Sequence, residues 1–325
     1  MRARIVATGS AVPRRVLRNR DLELMVATSD EWIAGRTGIR ERRVVDEGVA
    51  SSDLGTDAAR AALAASRWYP ADLDLILVAT CTPDMPLPST ACLIQRNLKA
   101  SRAIAFDLAA ACSGFLYGLA VADLYVRAGT CRRVLLVGTE VMSSVIDWTD
   151  RSTCILFGDG AGAALLEPSD DDRGVLSTHL HSDGDLWDLV CVPGGGSRLP
   201  ASDAMLAGRQ QYIKMKGNET FKVAVKTLEA TAREALEANK LDVADVDLFI
   251  PHQANVRIIQ AVMERLGLPQ DRVFLNLDRY GNTSAASIPL ALDEAVRTGR
   301  ISPGSRILMV AFGSGLTWAS AMVKW

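Results

Sequence analysis

The sequence predicts an α/β fold made of two similar halves, in which mixed sheets are layered between helices. Three observations predict it: apolar strands alternate with Ala-rich helices, one helix–link–strand block occurs twice, and each half closes on a Gly-rich turn. Continuous apolar strands that alternate with helices favour parallel or mixed sheets covered by helices on both faces.

The repeated block begins with a helix. Residues 59–75 and 232–248, related by a shift of 173, are identical at nine of seventeen positions. Both copies predict an Ala-rich helix, a short acidic link and a buried strand. Because chance resemblance between Ala-rich helices does not explain further blocks in the same order, the pattern indicates an internal duplication.

A second block repeats with a shift of 170, and an apolar strand follows each copy. The matched residues are Asp123, Val126, Arg127 and Gly129 in the first copy and Asp293, Val296, Arg297 and Gly299 in the second. Under this shift Cys112 falls on Asn282. Gly-rich turns at 158–164 and 313–319 then lead into small-residue strands. Turn formers and aspartates at 167–174 mark the junction, so we expect halves at 1–170 and 171–325.

Composition excludes several classes of protein. The chain has 325 residues, 49% hydrophobic and 23% charged, which are globular averages and do not fit disordered, collagen-like or coiled-coil proteins. With 36 Lys and Arg against 38 Asp and Glu, the net charge of −2 gives no overall attraction to nucleic acid or anionic membranes. Apolar runs fall short of the roughly 20 residues that a spanning helix needs.

Six cysteines are scattered without CxxC or His-paired spacing. Neither a disulfide framework nor a metal site is therefore expected. The N-terminal residues 1–9 resemble a first strand more than a signal peptide. We accordingly expect a cytoplasmic protein.

Cys112 is the candidate nucleophile. It follows the strand-like residues 104–108 and begins a run with helical spacing. Unpaired N–H groups and the helix dipole favour a thiolate at such a position, which predicts an acidic, reactive thiol. A lone cysteine is more often an inert buried thiol, and that interpretation is kept for the other five.

Two further side chains are expected in the crevice between the halves, where duplicated α/β folds commonly bind ligands. His252 directly follows the repeated strand, and Asn282 lies in a turn that also fits a helix cap. His179 and His181 stand two apart in a strand-like stretch. No carboxylate or cysteine cluster supports a metal there, so a structural role is favoured.

Six further motifs stand out in chain order: residues 28–33 (TSDEWI), 36–42 (RTGIRER), 107–115 (DLAAACSGF), 158–163 (GDGAGA), 251–255 (PHQAN) and 281–287 (GNTSAAS). With these motifs, the chain closely resembles β-ketoacyl-acyl-carrier-protein synthase III from its first strand to Trp318. This resemblance implies the duplicated thiolase-like fold, in agreement with the repeats.

The resemblance implies a decarboxylative Claisen condensation at the start of fatty acid synthesis. An acyl-CoA primer would acylate Cys112, and malonyl-acyl carrier protein would then lose CO2 and attack the acyl group. His252 and Asn282 would donate hydrogen bonds to the developing enolate. Coenzyme A enters as a thioester substrate, so no cofactor and no metal are expected. The resemblance also implies that the protein forms a homodimer.

Family positions also suggest supporting residues. The backbone N–H of Ser314 would complete a second oxyanion hole, although the family's triple-glycine turn is here Gly-Ser-Gly, and Phe312 would flank the nucleophile.

The expected coenzyme A contacts are Trp32, Arg36, Arg151, Gly217 and Asn255. The expected acyl-pocket residues are Leu87 and Met142, which favour acetyl or another short primer with some tolerance for longer or branched chains. The expected basic face for the acidic carrier protein comprises Lys222, Arg257 and Arg265.

Three alternatives stay open at this stage. A condensing enzyme or acyltransferase of polyketide or signal biosynthesis could share the fold. A papain-like hydrolase also has Cys, His and Asn in this order, but Cys112 lacks the tryptophan that usually follows. A non-catalytic assembly partner would retain the fold and form no acyl adduct.

Overall fold

The computed structural model describes residues 1–325, with thirteen strands and eleven α-helices. The strands are β1 (Arg2–Ala11), β2 (Val16–Arg18), β3 (Glu41–Arg43), β4 (Leu75–Ala79), β5 (Ile104–Leu108), β6 (Val134–Glu140), β7 (Gly160–Ser169), β8 (Gly174–Ser182), β9 (Val190–Cys191), β10 (Lys214–Met215), β11 (Leu248–Pro251), β12 (Arg306–Gly313) and β13 (Thr317–Lys324). The helices are α1 (Asn19–Leu22), α2 (Asp30–Thr37), α3 (Ser51–Ala65), α4 (Thr90–Leu98), α5 (Gly114–Arg127), α6 (Arg151–Cys154), α7 (Asp203–Ala207), α8 (Gly217–Ala238), α9 (Val256–Leu266), α10 (Leu277–Tyr280) and α11 (Ser287–Arg297).

Two mixed sheets form the centre of the molecule. The first has the strand order β1-β7-β6-β4-β5, and the second has the order β8-β13-β12-β11. In each sheet, one strand near the middle joins a parallel pair to an antiparallel pair: β6 does so in the first and β12 in the second. The counterpart of β5 is reduced to a single bridge between Phe249 and Val273. The shared strand order reflects the duplication.

Helices cover both sheets in five alternating layers. Helix α3 packs on the outer face of the first sheet, and α8 packs on the outer face of the second. Helices α5 and α11 lie between the sheets, where Phe115 and Ile288 belong to one buried apolar cluster with strand residues of both halves. This alternation of layers confirms the predicted fold class.

The first repeated block folds alike in both halves. Helix α3 and helix α8 each lead through a 3-10 turn, Pro70–Asp72 or Val243–Asp245, into the parallel strand β4 or β11. Residues 170–173 connect β7 to β8. We therefore propose that the halves divide at residue 170.

The expected alignment of Cys112 with Asn282 is wrong. Both central helices follow a 3-10 turn that begins at a residue with positive φ, Ala111 (45°) or Ser284 (47°), which is a shift of 173. Cys112 therefore matches Ala285. The shift of 170 applies only at the far ends of these helices, because α11 has 11 residues and α5 has 14.

None of the helices combines the length and apolar character that crossing a membrane would require.

Candidate active site

A cavity of about 640 Å³ opens between the two halves, at strand ends and helix starts. Its wall includes Cys112 from the first half and His252 and Asn282 from the second, together with Phe312 and Gly313 at the end of β12. Apolar side chains supply much of the remaining wall: Ile155, Leu156, Phe157, Val190, Met215, Phe221, Leu228 and Ile258. The three candidate catalytic residues thus face one space.

Cys112 lies in the tight turn between β5 and α5. The backbone of β12 approaches this turn so closely that a Cβ on Gly313 would stand 2.7 Å from the Cys112 amide nitrogen. Ser113 donates to the Thr317 carbonyl oxygen at 3.0 Å, which ties the same turn to β13. Only glycine at position 313 permits this approach, so the second half supports the nucleophile of the first.

His252 follows β11, and its backbone N–H continues the pairing by donating to the Val310 carbonyl at 2.8 Å. Its ring Nδ1 lies 3.0 Å from the Ser287 hydroxyl oxygen. Burial lowers the pKa of His252 to about 4, because the charged ring loses its hydration. The imidazole is therefore neutral at physiological pH.

Backbone bonds on both sides hold Asn282. Its N–H donates to the Leu156 carbonyl at 2.8 Å, and its carbonyl accepts from the Gly158 N–H at 3.0 Å. The side-chain Oδ1 accepts from the Ser284 N–H at 2.9 Å. The Nδ2 group makes no hydrogen bond within the protein, so its hydrogens are available to a ligand in the cavity that Asn282 lines.

The protonation of Cys112 differs from the prediction. The pKa of its thiol is raised to about 12, chiefly by burial; the Ser284 hydroxyl lowers it in part, and the nearby Glu140 carboxylate adds a smaller increase. The expected acidification at a helix start is outweighed because the thiolate would lose its hydration. The resting group is a thiol.

Glu140, at the end of β6, is a buried acid that sequence reasoning missed. Its carboxylate accepts from Thr80, from the backbone and side chains of Cys81 and Thr82, and from Ser284 and Ala285 of the opposite half. The pKa of this acid is raised, because the effect of burial outweighs that of the hydrogen bonds, which lower it. Ser284 in turn orients Asn282, so the acid supports the site from behind. The sequence did offer a signal for this residue, because an acidic residue stands at the end of an otherwise apolar strand.

The residue predicted to complete the second oxyanion hole, Ser314, follows the end of β12. Phe312 and Gly313 line the cavity, and Ser314 follows them directly. The Ser314 hydroxyl donates to the Val190 carbonyl oxygen. The hydroxyl is therefore engaged, and Ser314 itself is not among the residues that line the cavity. The role of its backbone N–H in an oxyanion hole stays a prediction.

The expected coenzyme A residues divide into two groups. Arg36, Gly217 and Asn255 line the cavity. Trp32 and Arg151 do not. The guanidinium carbons of Arg36 and Arg151 each lie 4.7 Å from the centre of the Trp32 ring. An adenine between Trp32 and Arg151 would require that pair to separate, because a sandwiched ring needs about 7 Å between its neighbours.

Neither expected acyl-pocket residue reaches the cavity. Leu87 is 84% exposed on the loop before α4. Met142 is buried in a separate apolar cluster with Ile155 and Phe157, behind the cavity wall. This differs from the expectation because motif position did not reveal which way the loop and the turn face.

The expected basic face is incomplete. Lys222 and Arg257 line the cavity, whereas Arg265 does not. Arg265 instead pairs with Glu229 at 3.1 Å, and Glu229 also binds Arg233. Residues eight apart on a helix differ by about 80° in direction, so Arg265 turns away from Arg257.

The other histidines lie on β8, away from this cavity. His181 Nε2 and His179 Nδ1 contact the Glu234 carboxylate at 2.7 and 3.3 Å, and the His181 ring stacks on Trp318. This carboxylate was not apparent from the sequence. The contacts fit the structural role that the sequence favoured.

Two family profiles match the chain, both described as 3-oxoacyl-[acyl-carrier-protein] synthase III, over residues 106–184 and, for the C-terminal profile, 236–325. Proteins named β-ketoacyl-[acyl-carrier-protein] synthase III from Roseiflexus castenholzii and Caldanaerobacter subterraneus are 54% and 52% identical, covering 99% of this chain and 98% of theirs. The crystal structure of 3-oxoacyl-[acyl-carrier-protein] synthase III from Aquifex aeolicus is 47% identical with a TM-score of 0.92, covering 99% of this chain and all of that one.

We expect Glu140→Gln to lower the pKa of the Cys112 thiol, because the substitution removes a negative charge that disfavours the thiolate. Alkylation of Cys112 by iodoacetamide, followed by peptide mass spectrometry from pH 7 to 10, should become faster at each pH. Unfolding in urea should show a loss of about 1–3 kcal/mol, since the amide nitrogen would face hydrogen-bond donors.

Glu234→Gln is the matched control, because Glu234 contacts only the histidine pair described above. An unchanged alkylation profile in Glu140→Gln would contradict the assigned effect of this carboxylate on the thiol.

Proposed function

The chain belongs to the 3-oxoacyl-[acyl-carrier-protein] synthase III family, and we propose that it catalyses the condensation that starts fatty acid synthesis. An acyl-CoA primer and malonyl-acyl carrier protein give a β-ketoacyl-carrier protein, CO2 and free coenzyme A. The observation that carries the proposal is one cavity lined by a cysteine, a neutral histidine and an asparagine with a free amide.

The first half-reaction transfers the acyl group to Cys112. The pKa of the thiol, about 12, lies far above that of the imidazole, about 4, so the resting pair is uncharged. The thiolate therefore forms as attack on the thioester carbonyl begins, with His252 accepting the proton. The backbone N–H groups of Cys112 and Ser314 stabilise the oxyanion, and the coenzyme A thiolate leaves with a proton.

The second half-reaction forms the carbon–carbon bond. Malonyl decarboxylation develops negative charge on the thioester oxygen. The neutral His252 ring and the Asn282 amide donate hydrogen bonds to that oxygen, and each such donor typically contributes a few kcal/mol in a water-poor site. The resulting carbanion attacks the acyl-cysteine and releases the Cys112 sulfur. Thioester chemistry supplies each step, so we propose that no cofactor takes part.

Coenzyme A occupies the cavity mouth in this proposal. Arg36 faces its phosphates, because a guanidinium binds phosphate with two parallel hydrogen bonds. Gly217 and Asn255 line the path of the pantetheine arm. Trp32 and Arg151 bind the adenine once their stacked pair has opened.

We expect a single acyl adduct on the protein and none on Cys112→Ala, read by intact mass spectrometry after incubation with acetyl-, isobutyryl- and octanoyl-CoA. Acetyl and isobutyryl groups should load fastest, because the family resemblance implies a short primer. Release of labelled CO2 from malonyl-carrier protein should follow loading. Adduct formation without CO2 release would indicate an acyltransferase, and strict use of acetyl-CoA would contradict the proposed tolerance.

The carrier protein docks on the rim of the cavity. Lys222 and Arg257 lie on the cavity wall and provide local positive charge for an acidic partner. The guanidinium carbon of Arg257 lies 5.9 Å from the Phe221 ring centre, which supports the side chain at this rim.

We expect Arg257→Glu to raise KM for malonyl-carrier protein about tenfold while leaving acylation by acetyl-CoA within about threefold, since a reversed rim charge disfavours the acidic partner by the order of 1–2 kcal/mol. Arg265→Glu is the matched control on the same helix, because its partner is Glu229. Equal effects of both substitutions, measured by steady-state kinetics, would contradict a rim-specific docking site.

The working assembly is a homodimer joined through β5. This strand ends the first sheet with no strand on its outer side, and Ile104 is 51% exposed there. An unpaired, apolar strand edge is a ready site for pairing with a second strand. All six cysteines are free, which fits a reducing cytoplasm.

We expect Ile104→Lys to convert the dimer to monomer in sedimentation velocity, because a lysine at the pairing edge opposes strand addition. Leu24→Lys, at a residue 89% exposed after α1, should leave the dimer intact. A wild-type protein that sediments as a monomer at micromolar concentration would rule out this assembly.

A further inference from the structure

We propose that Ser287 is a positioning residue whose hydroxyl binds His252 Nδ1 in both of the proton arrangements that the two half-reactions need. The inference rests on the proposed function and adds a residue to it. Ser287 is the first residue of α11, is buried, and lies on the side of the imidazole opposite to the ring nitrogen Nε2.

The contacts of this hydroxyl leave it two ways to bind the histidine. Its oxygen accepts from the Gln253 N–H at 2.7 Å and lies 3.0 Å from His252 Nδ1. A serine hydroxyl has one hydrogen to donate and two lone pairs to accept with. Since Gln253 occupies one lone pair, the hydrogen and the second lone pair both remain for Nδ1.

Hydrogen bonds fix Gln253, so its N–H keeps one lone pair of the Ser287 hydroxyl occupied. Its side-chain nitrogen donates to the carbonyls of Pro251 at 2.7 Å and Phe274 at 3.1 Å, and its side-chain oxygen accepts from the Asn276 N–H at 3.0 Å. The residue is buried. These bonds hold its backbone N–H in place to donate to Ser287.

Acylation needs an unprotonated Nε2 on His252. The Cys112 proton moves to Nε2 while the sulfur attacks the thioester carbon, and the departing coenzyme A sulfur then takes that proton away. Nδ1 carries a hydrogen throughout this step. The Ser287 lone pair accepts from it, which stabilises the transient imidazolium.

Condensation needs a hydrogen on Nε2. Exchange with solvent removes the Nδ1 proton and adds one at Nε2, so the ring stays neutral and donates to the malonyl thioester oxygen. The Ser287 hydrogen now turns to Nδ1. Loss of CO2 leaves the electron pair that forms the new carbon–carbon bond, the acyl–sulfur bond breaks, and a solvent proton restores the Cys112 thiol.

The test combines half-reaction rates with nitrogen NMR on protein labelled with ¹⁵N-histidine, which has only three such residues. We expect the wild-type His252 signal to show the Nδ1–H form in free protein and the Nε2–H form after acylation. In Ser287→Ala, one form should persist in both states, and acylation and CO2 release should each slow at least tenfold. Ser287→Cys, which retains a weak donor and acceptor, should recover part of both rates.

Ser320→Ala is the control, because it removes another buried serine hydroxyl, which lies on β13 and accepts from the Thr231 hydroxyl of α8 at 3.1 Å. Its half-reaction rates should stay within twofold of wild type. Capping Cys112 with methyl methanethiosulfonate gives the same nitrogen comparison without substrate, so wild-type protein that forms no adduct would refute only the proposed function. Half-reaction rates within twofold of wild type in Ser287→Ala, or one wild-type tautomer in free and capped protein alike, would overturn the role of Ser287.

Discussion

The buried carboxylate of Glu140 joins the two halves of the molecule at the place where the chemistry occurs. It ends a strand of the first sheet and accepts hydrogen bonds from Ser284 and Ala285 in the turn that begins the central helix of the second half. Burying such a group is costly unless its oxygens are fully bonded, and here donors surround it. The position of Asn282, which Ser284 orients, depends on this contact.

The same burial sets the protonation of the reacting groups. Cys112 and His252 are both neutral at rest because neither charged form is hydrated in the crevice. A neutral imidazole is the form that can both accept a thiol proton and, as its other tautomer, donate to an enolate. The low polarity that makes the thiol weakly acidic therefore also strengthens the hydrogen bonds formed in the condensation step.

Much of this architecture was predictable because it depends on local pattern. The repeat of helix, acidic link and strand predicted both sheets, and the strand ends and helix starts predicted where Cys112, His252 and Asn282 would meet. Predictions failed where direction in space mattered. Arg265 shares a helix with Arg257 yet pairs with Glu229, and Leu87 projects from an exposed loop. The three-residue difference between α5 and α11 also misaligned Cys112 with Asn282.

The amino-acid sequence alone determined the fold class and the three side chains at the crevice, because residue type, periodicity and position at an element's end are properties of neighbouring residues. Only the tertiary structure decided the protonation of the thiol, the hydroxyl partner of His252 and the charges that line the cavity. These depend on burial and on approaches between residues more than thirty positions apart, such as His252 to Ser287 and Gly313 to Cys112. No local pattern specifies such distances.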